Sequence, residues 1–185
     1  MADIVIETER LILRRIEEGD AELQYRVLNT PTIMHHLGGP KELHEIEAKH
    51  AKTMGWFANE GFGFMLVIEK GTGELVGTCG MKRVDAENAH NQGDFEIGWI
   101  IRDDRWRMGY ASEAMRAVME WAFTSHQAPV LVALTADGNE ASWRLMEKLG
   151  MQRRPDLDFY DPAFPPEENP TILYSITREQ WEQNT

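Results

Sequence analysis

The chain has 185 residues, 42% of them hydrophobic and 27% charged, a composition typical of one globular domain spanning residues 1–185. Its formal net charge of −12 argues against direct nucleic-acid binding, because an acidic surface repels phosphate. A single cysteine excludes an intramolecular disulfide. No apolar stretch is long enough to cross a membrane, and the sequence from Met1 lacks the pattern of a secretion signal. We therefore expect a cytoplasmic protein with no membrane partner, whose acidic surface suits cationic ligands such as amines.

Hydrophobic periodicity predicts that strands and helices alternate along the chain. The predicted strands are 11–15, 64–69, 75–81, 94–101, 130–135 and 171–176. The predicted helices are 20–29, with Asp20 as its N-cap, and 41–59, 110–125, 139–149 and 178–183. Hairpins in the first half and strand–helix repeats in the second predict an α/β fold of mixed α+β character, a mixed sheet with helices on both faces.

The segment 94–112 combines a strand, a basic loop and a helix that opens at Gly109. A helix that begins on small residues exposes backbone N–H groups, which bind anions such as phosphate. Arg102, Arg105 and Arg107 crowd this loop in an otherwise acidic chain. From these residues alone, a phosphate site and a solvated arginine-rich loop remain equal alternatives, and the common nucleotide-binding fingerprints are absent.

Glu96 interrupts an apolar strand. Side chains alternate between faces, so Glu96 shares one face with Gly98 and Ile100, opposite the apolar face. Burial would raise the pKa of Glu96 towards that of a useful general base. The alternative is a glutamate paired with a nearby arginine. Gly98 indicates either a β-bulge or a close approach of another group to the backbone.

Other polar residues favour structural roles. Asn139 and Ser142 begin a predicted helix, where Asn139 is read more simply as an N-cap. Cys79 lies inside a predicted strand and is expected to be buried filler. His35 and His36, like the other histidines, lack metal-ligand spacing, so no metal is expected.

A resemblance emerges when six segments are taken together in order. They are 8–14 (TERLILR), 73–80 (GELVGTCG), 95–99 (FEIGW), 106–114 (WRMGYASEA), 139–142 (NEAS) and 147–151 (EKLGM). This ordered set resembles the GNAT superfamily of acyl-CoA-dependent N-acetyltransferases. Within that superfamily it resembles the RimJ/RimL-like branch, named for ribosomal-protein N-terminal acetyltransferases.

The resemblance implies a twisted mixed sheet in which two central parallel strands, 94–101 and 130–135, splay apart. Acetyl-CoA would be the cosubstrate, with its pantetheine arm in the splay. The implied contacts to that arm are backbone groups of Trp99, Ile100 and Ile101 and the side chain of Asn139. The pyrophosphate would lie on backbone amides of Arg107, Met108, Gly109, Tyr110, Ala111 and Ser112. The motif departs from the family at Trp106, commonly Gln or Arg, and at Arg107, often glycine in this branch.

The implied mechanism is direct transfer in a ternary complex. Glu96 would accept the proton of the acceptor amine, and a backbone N–H on the splayed strand would polarise the thioester carbonyl. A hydroxyl must then protonate the departing sulfur. The helix at 139–149 has no tyrosine, so Ser142 is the candidate, with Tyr160 and Tyr174 as alternatives.

Two functional classes remain open: an N-acetyltransferase and a non-catalytic acyl-CoA-binding module of the same fold. Glu96 and the retained Gly109-x-Ala111 favour the enzyme. The acceptor would be a peptide N-terminus or a small-molecule amine, and an α-amine is favoured over lysine because more of it is unprotonated at neutral pH. A second copy of the chain, forming a homodimer, is a further possible partner that the sequence leaves open.

Overall fold

The computed structural model describes residues 3–184. The expectation that the chain has no secretion signal concerns a segment that begins at Met1, and Met1 and Ala2 lie outside the described residues. The strands are β1 (Ile4–Glu7), β2 (Leu11–Arg14), β3 (Phe64–Glu69), β4 (Leu75–Arg83), β5 (Phe95–Ile101), β6 (Val130–Ala136), β7 (Gln152–Arg153) and β8 (Thr171–Thr177). The helices are α1 (Asp20–Leu28), α2 (Leu43–Glu60), α3 (Tyr110–Thr124), α4 (Glu140–Lys148) and α5 (Arg178–Gln183).

All eight described strands form one sheet in the order β1-β2-β3-β4-β5-β6-β8-β7. The neighbouring pair β5 and β6 is parallel, whereas the strands that flank it on either side pair antiparallel. This mixed sheet with helices on its faces confirms the predicted fold class. No helix among residues 3–184 is long and apolar enough to cross a membrane.

The two central parallel strands diverge soon after they meet. β5 pairs with β6 only at Phe95–Leu131 and Glu96–Val132. By contrast, β4 pairs with β5 over the whole length of β5, from Arg83–Phe95 to Gly77–Ile101. The splay that the resemblance implied is therefore present, and it leaves one edge of the second half of β5 without a partner strand.

The two faces of β5 enter different parts of the core. Phe95, Ile97 and Ile101 pack in the main hydrophobic cluster with the buried face of α3. Ile100 packs in a second cluster with Leu28 of α1. The predicted alternation of side chains along this strand is therefore correct, and Glu96 lies on the face opposite α3.

Several boundaries differ from the sequence prediction. The short strands β1 and β7 were not predicted. Gly19, with a left-handed φ of 92°, is the N-cap of α1, so Asp20 is its first residue rather than its cap. β4 and β5 keep a continuous register through Gly98, so the predicted bulge is absent. The close-approach alternative is right, because a Cβ on Gly98 would lie 3.1 Å from the Phe64 ring.

Candidate active site

The open edge of β5 is formed by backbone groups of alternate residues. The Arg102 N–H donates to the Val76 carbonyl on β4, at 2.9 Å. Successive residues of a strand direct their N–H and C=O groups to opposite neighbours, so Ile100 also faces β4. Trp99 and Ile101 therefore face the side where β6 has diverged. The sequence expectation for Ile100 is corrected, because its backbone groups are directed towards β4 and away from the splay.

Trp106 occupies the first position at which the loop motif departs from the family pattern. Its indole Nε1–H donates a hydrogen bond of 2.7 Å to the Ile101 carbonyl. The tryptophan thus ties the loop after β5 to the end of that strand. It also satisfies one of the backbone acceptors in the splay. The Ile101 N–H and both backbone groups of Trp99 remain available to a ligand.

The N-terminus of α3 presents unpaired backbone donors. Gly109 is the N-cap, has a left-handed φ of 82° and receives no side-chain cap. The first intrahelical donor is Glu113, which bonds to the Gly109 carbonyl at 3.0 Å. Helix geometry therefore leaves the N–H groups of Tyr110, Ala111 and Ser112 without intrahelical acceptors. Together with the helix dipole, these groups suit a phosphate.

Two of the three loop arginines are already neutralised. Arg102 pairs with Glu74 at 3.0 Å and with Asp104 at 2.6 Å. Arg105 pairs with Asp104 at 2.8 Å and with Glu69 at 3.3 Å. Hydrogen bonding to Asp104 is the largest influence that raises the pKa of Arg102 above its ordinary value. Most of the positive charge expected of this loop is thus neutralised by neighbouring carboxylates.

Arg107 differs from both of these arginines. Its side chain is exposed and makes no ion pair with any described residue. Its φ is 61°, in the left-handed region that glycine adopts without strain. Arg107 is therefore the loop guanidinium available to an incoming phosphate.

A contact from the start of the chain anchors the loop. The Glu113 carboxylate accepts hydrogen bonds from the Thr8 hydroxyl at 2.6 Å and from the Arg10 N–H at 2.9 Å. The Arg10 guanidinium lies over the Tyr110 ring and donates to the Met108 carbonyl at 2.9 Å. These positioning residues were not identified from sequence, although Thr8 and Arg10 belong to a segment that carries the resemblance.

Glu96 lies beside a lysine rather than the arginine weighed as the alternative. Lys82, its direct partner on β4, places Nζ 3.3 Å from Glu96 Oε2. That oxygen is buried, and the ion pair with Lys82 is its polar contact among the described residues. The Lys82 ammonium favours the charged carboxylate, which is the form that can accept a proton.

Burial is the largest influence on Glu96 and raises its pKa above the ordinary value of a glutamate. Lys82 opposes this effect, whereas the negative charges of Asp85 and Asp161 add to it. Lys82 itself is partly buried, which disfavours its charged form, but Glu96 and Asp85 outweigh this effect and raise its pKa. A carboxylate with a raised pKa beside the open edge of β5 has the properties of a general base.

Asn139 serves as the N-cap of α4. Its Oδ1 accepts from the Ser142 N–H at 3.4 Å, as the simpler reading proposed, which leaves its amide donors for another partner. Ser142 is half-buried in the first turn of that helix. Of the alternative hydroxyls, Tyr174 is buried and donates to Glu147 at 3.4 Å, while Tyr160 is exposed.

The structure also shows the surroundings of the cysteine and of three histidines. Cys79 is fully buried, and burial raises the pKa of its thiol, so the expectation of buried filler is right. His50 is buried and contacts Gln24 at 2.7 Å. The structure brings Glu168 to His36, with Oε2 2.9 Å from Nδ1, and His35 lies beside them. Sequence spacing could not show this contact, because 132 residues separate the pair.

The family is identified by comparison with known proteins. A family model described as an acetyltransferase (GNAT) domain matches residues 10–152. The chain is 34% identical over 149 residues to the uncharacterised protein YkkB of Bacillus subtilis, covering 78% of this chain and 83% of YkkB. It is 31% identical over 159 residues to the uncharacterised N-acetyltransferase YoaA of the same organism, covering 84% and 87% of the two chains.

Solved structures share the fold. An acetyltransferase from Agrobacterium tumefaciens superposes with a TM-score of 0.78 at 24% identity, covering 95% of each chain. Aminoglycoside acetyltransferase AAC(6')-Ib, solved with coenzyme A, gives a TM-score of 0.73 at 19% identity, covering 94% of this chain and 98% of that one. At these identities the structures support the shared fold alone.

The chain belongs to the GNAT acetyltransferase family. It is accordingly an acyltransferase, and its relatives are named for acetyl transfer to nitrogen. The GNAT resemblance read from the sequence is confirmed, whereas the RimJ/RimL-like assignment stays a prediction.

Proposed function

We propose that this protein transfers the acetyl group of acetyl-CoA directly to an unprotonated primary amine, with Glu96 as the general base, within one catalytic domain. The observation that carries the proposal is the buried Glu96 Oε2, which lies 3.3 Å from the Lys82 ammonium in an ion pair. It lies on the strand that also offers the open backbone edge.

The donor site we propose has two parts. Trp99 and Ile101 offer backbone groups to the amides of the pantetheine arm, and Asn139 can donate from its Nδ2. The N–H groups from Arg107 to Ser112 bind the pyrophosphate, with Arg107 as an added cation. Apart from the Ile101 carbonyl, which accepts from Trp106, both sets are donors or acceptors that the described fold leaves without strong partners, which supports their assignment.

In the proposed reaction, acetyl-CoA supplies a thioester, and the neutral amine attacks its carbonyl carbon. The C–N bond forms as the C–S bond breaks. Glu96 takes the proton that the amine nitrogen loses, directly or through a water molecule, and the thiolate leaves. A backbone N–H of Trp99 or Ile101 stabilises the negative charge that develops on the carbonyl oxygen.

We propose Ser142 as the hydroxyl that protonates the departing thiolate. Tyr174 is a weaker candidate, because burial raises the pKa of its phenol and its hydroxyl already donates to Glu147. Ser142→Ala should lower the turnover rate less than a change at Glu96, with unchanged acetyl-CoA affinity. An equal loss in Tyr174→Phe with none in Ser142→Ala would transfer the role to the tyrosine.

The acceptor we propose is an α-amine, of a peptide N-terminus or a small amino compound, which also fits the RimJ/RimL-like reading. At pH 7 roughly one in ten α-amines is unprotonated, compared with about one in 2,500 lysine side chains. A single carboxylate handles the first more readily. The overall net charge of −12 also favours encounter with cations.

Competition tests this proposal. The protein is offered acetyl-CoA with a lysine peptide blocked at its N-terminus, a lysine-free peptide with a free N-terminus, and free small amines. CoA release and product masses are measured. Preferred acetylation of the blocked lysine peptide would contradict the α-amine assignment, and absence of CoA release with every amine would favour the non-catalytic module.

A further inference from the structure

A cavity of about 450 Å³ lies next to the candidate base. Two loops line it: residues 85–87 between β4 and β5, and residues 161–163 between β7 and β8. Lys82, whose Nζ is 3.3 Å from Glu96, completes the wall. This volume suits a small molecule. The cavity is therefore the natural place for the part of the acceptor that does not react.

A chain of charges beside the cavity is balanced. Lys52 on α2 pairs with Asp85 at 2.6 Å, and Lys82 bonds to the other oxygen of Asp85. Lys82 in turn pairs with Glu96. These two ammonium groups and two carboxylates alternate in sign and neutralise one another. Together these four groups carry no net charge that would attract a ligand.

Two other carboxylates of the cavity are not balanced. Asp161 is only 7% exposed, and its side chain accepts one hydrogen bond, from the Ala163 N–H at 2.9 Å. Glu87 is exposed. No described lysine, arginine or histidine forms an ion pair with either residue. A mostly buried carboxylate that lacks a cation is a favourable partner for a cationic ligand.

The loop holds Asp161 in a fixed position. Asn169 accepts from the Asp161 N–H at 2.7 Å and donates to the Asp161 carbonyl at 3.1 Å. The same amide group donates to the carbonyls of Phe164 and Pro165. Asp161 is therefore a preorganised anion, and binding to it does not require the loop to fold first.

We infer that the acceptor is a small diamine without a carboxylate, whose second ammonium binds Asp161 in this cavity while its other amine reacts beside Glu96. This inference rests on the proposed acetyl transfer and names a substrate class that differs from the α-amine proposed above: its reacting amine is more often unprotonated because of a second ammonium and not because of a neighbouring carbonyl. The bound ammonium lowers the pKa of the nearby reacting amine, because two like charges repel, so more of that amine is unprotonated. A carboxylate on the acceptor would instead meet Asp161 and Glu87 and be repelled.

The reaction itself is unchanged by the second group. The reacting nitrogen gains the acetyl group and gives its proton to Glu96, CoA leaves as the thiol, and the ammonium at Asp161 keeps its protons. Asp161 thus determines specificity, and a change there should alter KM for diamines more than kcat.

Three acceptors of one chain length test the inference: 1,3-diaminopropane, propylamine and 3-aminopropanoate. CoA release is measured for the native protein, Asp161→Asn and Glu167→Gln. The last variant removes one negative charge from an exposed position of the same loop, outside the cavity lining. Asparagine can still accept from Ala163, so Asp161→Asn should fold. Glu87→Gln, at an exposed position, provides a second variant.

The native protein should give a kcat/KM for the diamine about tenfold or more above that for propylamine, as expected for a charge-assisted contact. The amino acid should be the poorest acceptor. Asp161→Asn should reduce the diamine advantage about tenfold, mainly through KM, and leave the part that comes from the lower pKa of the diamine itself. Glu87→Gln should reduce it less, and Glu167→Gln should retain it. Equal kcat/KM for diamine and monoamine, or an unchanged preference in Asp161→Asn, would overturn the inference and leave the proposed function intact.

Calorimetry separates the two proposals. 1,3-Diaminopropane is titrated into the protein saturated with CoA, so that binding is measured without turnover. Binding that weakens about tenfold in Asp161→Asn supports the inference even if no acceptor releases CoA from acetyl-CoA, a result that would refute the proposed function alone. Absence of diamine binding to the native protein refutes the inference.

Discussion

Arg10 and Glu113 are 103 residues apart in sequence, yet the Arg10 Nε lies 2.6 Å from the Glu113 Oε2. Glu113 stands in the first turn of α3, directly below the unpaired N–H groups of the proposed phosphate site. Arg10 follows β1, and its guanidinium also donates a hydrogen bond to the Met108 carbonyl. The turn before β2 therefore fixes the loop on which the donor pyrophosphate would lie.

Glu113→Gln should loosen this loop. The neutral amide weakens the hydrogen bonds from Thr8 and Arg10, so we expect a loss of about 1–3 kcal/mol in the free energy of unfolding. Acetyl-CoA affinity should fall as well, because the donors of the loop are no longer preorganised. Urea unfolding and calorimetry measure the two effects. Glu120→Gln, at an exposed position of the same helix, is the control and should change neither.

Arg107 can be tested for charge and backbone separately. Arg107→Gly and Arg107→Ala remove the same charge, so both should weaken CoA binding severalfold, and more at low salt, since an exposed ion pair contributes about 0–1 kcal/mol. Glycine also relieves the left-handed φ of 61°, so Arg107→Gly should raise the free energy of unfolding by up to about 1 kcal/mol over Arg107→Ala. Unchanged CoA affinity in both variants would remove Arg107 from the donor site.

The donor site was largely predictable from sequence because it is local. A strand of alternating residues, a basic loop and Gly109 follow one another, so one stretch of chain carries the open edge and the helix N-terminus. The pairing of Arg102 and Arg105 with Glu69 and Glu74 was not predictable. Those glutamates border the β3–β4 turn, and only the folded sheet brings that turn beside the loop.

Glu96→Gln should separate catalysis from binding. Glutamine keeps the shape of the side chain but cannot accept the amine proton, so the turnover rate should fall by roughly 10²–10⁴-fold. Acetyl-CoA affinity should remain close to native, because the splay and the α3 N-terminus are untouched. Steady-state kinetics and calorimetry give the two readouts. A variant that keeps most of its turnover at neutral pH would make Glu96 a structural residue.

Lys82→Met should shift the pH dependence. The Lys82 ammonium favours the charged carboxylate, so removing it raises the pKa of Glu96 further above its ordinary value. The base is then protonated at higher pH, and the acid limb of the kcat/KM profile should move upwards. Lys82→Arg keeps the positive charge and should leave the limb near its native position. A limb that stays in place in Lys82→Met would mean that another group sets it.

For Glu96, the sequence predicts the position of the side chain but not its partner. Its place on the polar face of an apolar strand follows from alternation within β5. Its partner depends on the register of β4 against β5, which sets Lys82 opposite Glu96 rather than Arg83. A shift of one residue would direct the neighbouring side chain to the other face, and the sequence of the segment between these strands does not fix that register.

His36 and Glu168 link two loops, one between α1 and α2 and the other, which carries Asp161, between β7 and β8. Glu168→Gln weakens this contact, so the loop that carries Asp161 should be held less firmly. We expect KM for the acceptor to rise severalfold, with kcat and acetyl-CoA affinity nearly unchanged, because the groups proposed to react are not altered. Glu167→Gln, one residue earlier and exposed, should leave KM at its native value. A fall in kcat without a change in KM would place the link in the chemical step instead of acceptor binding.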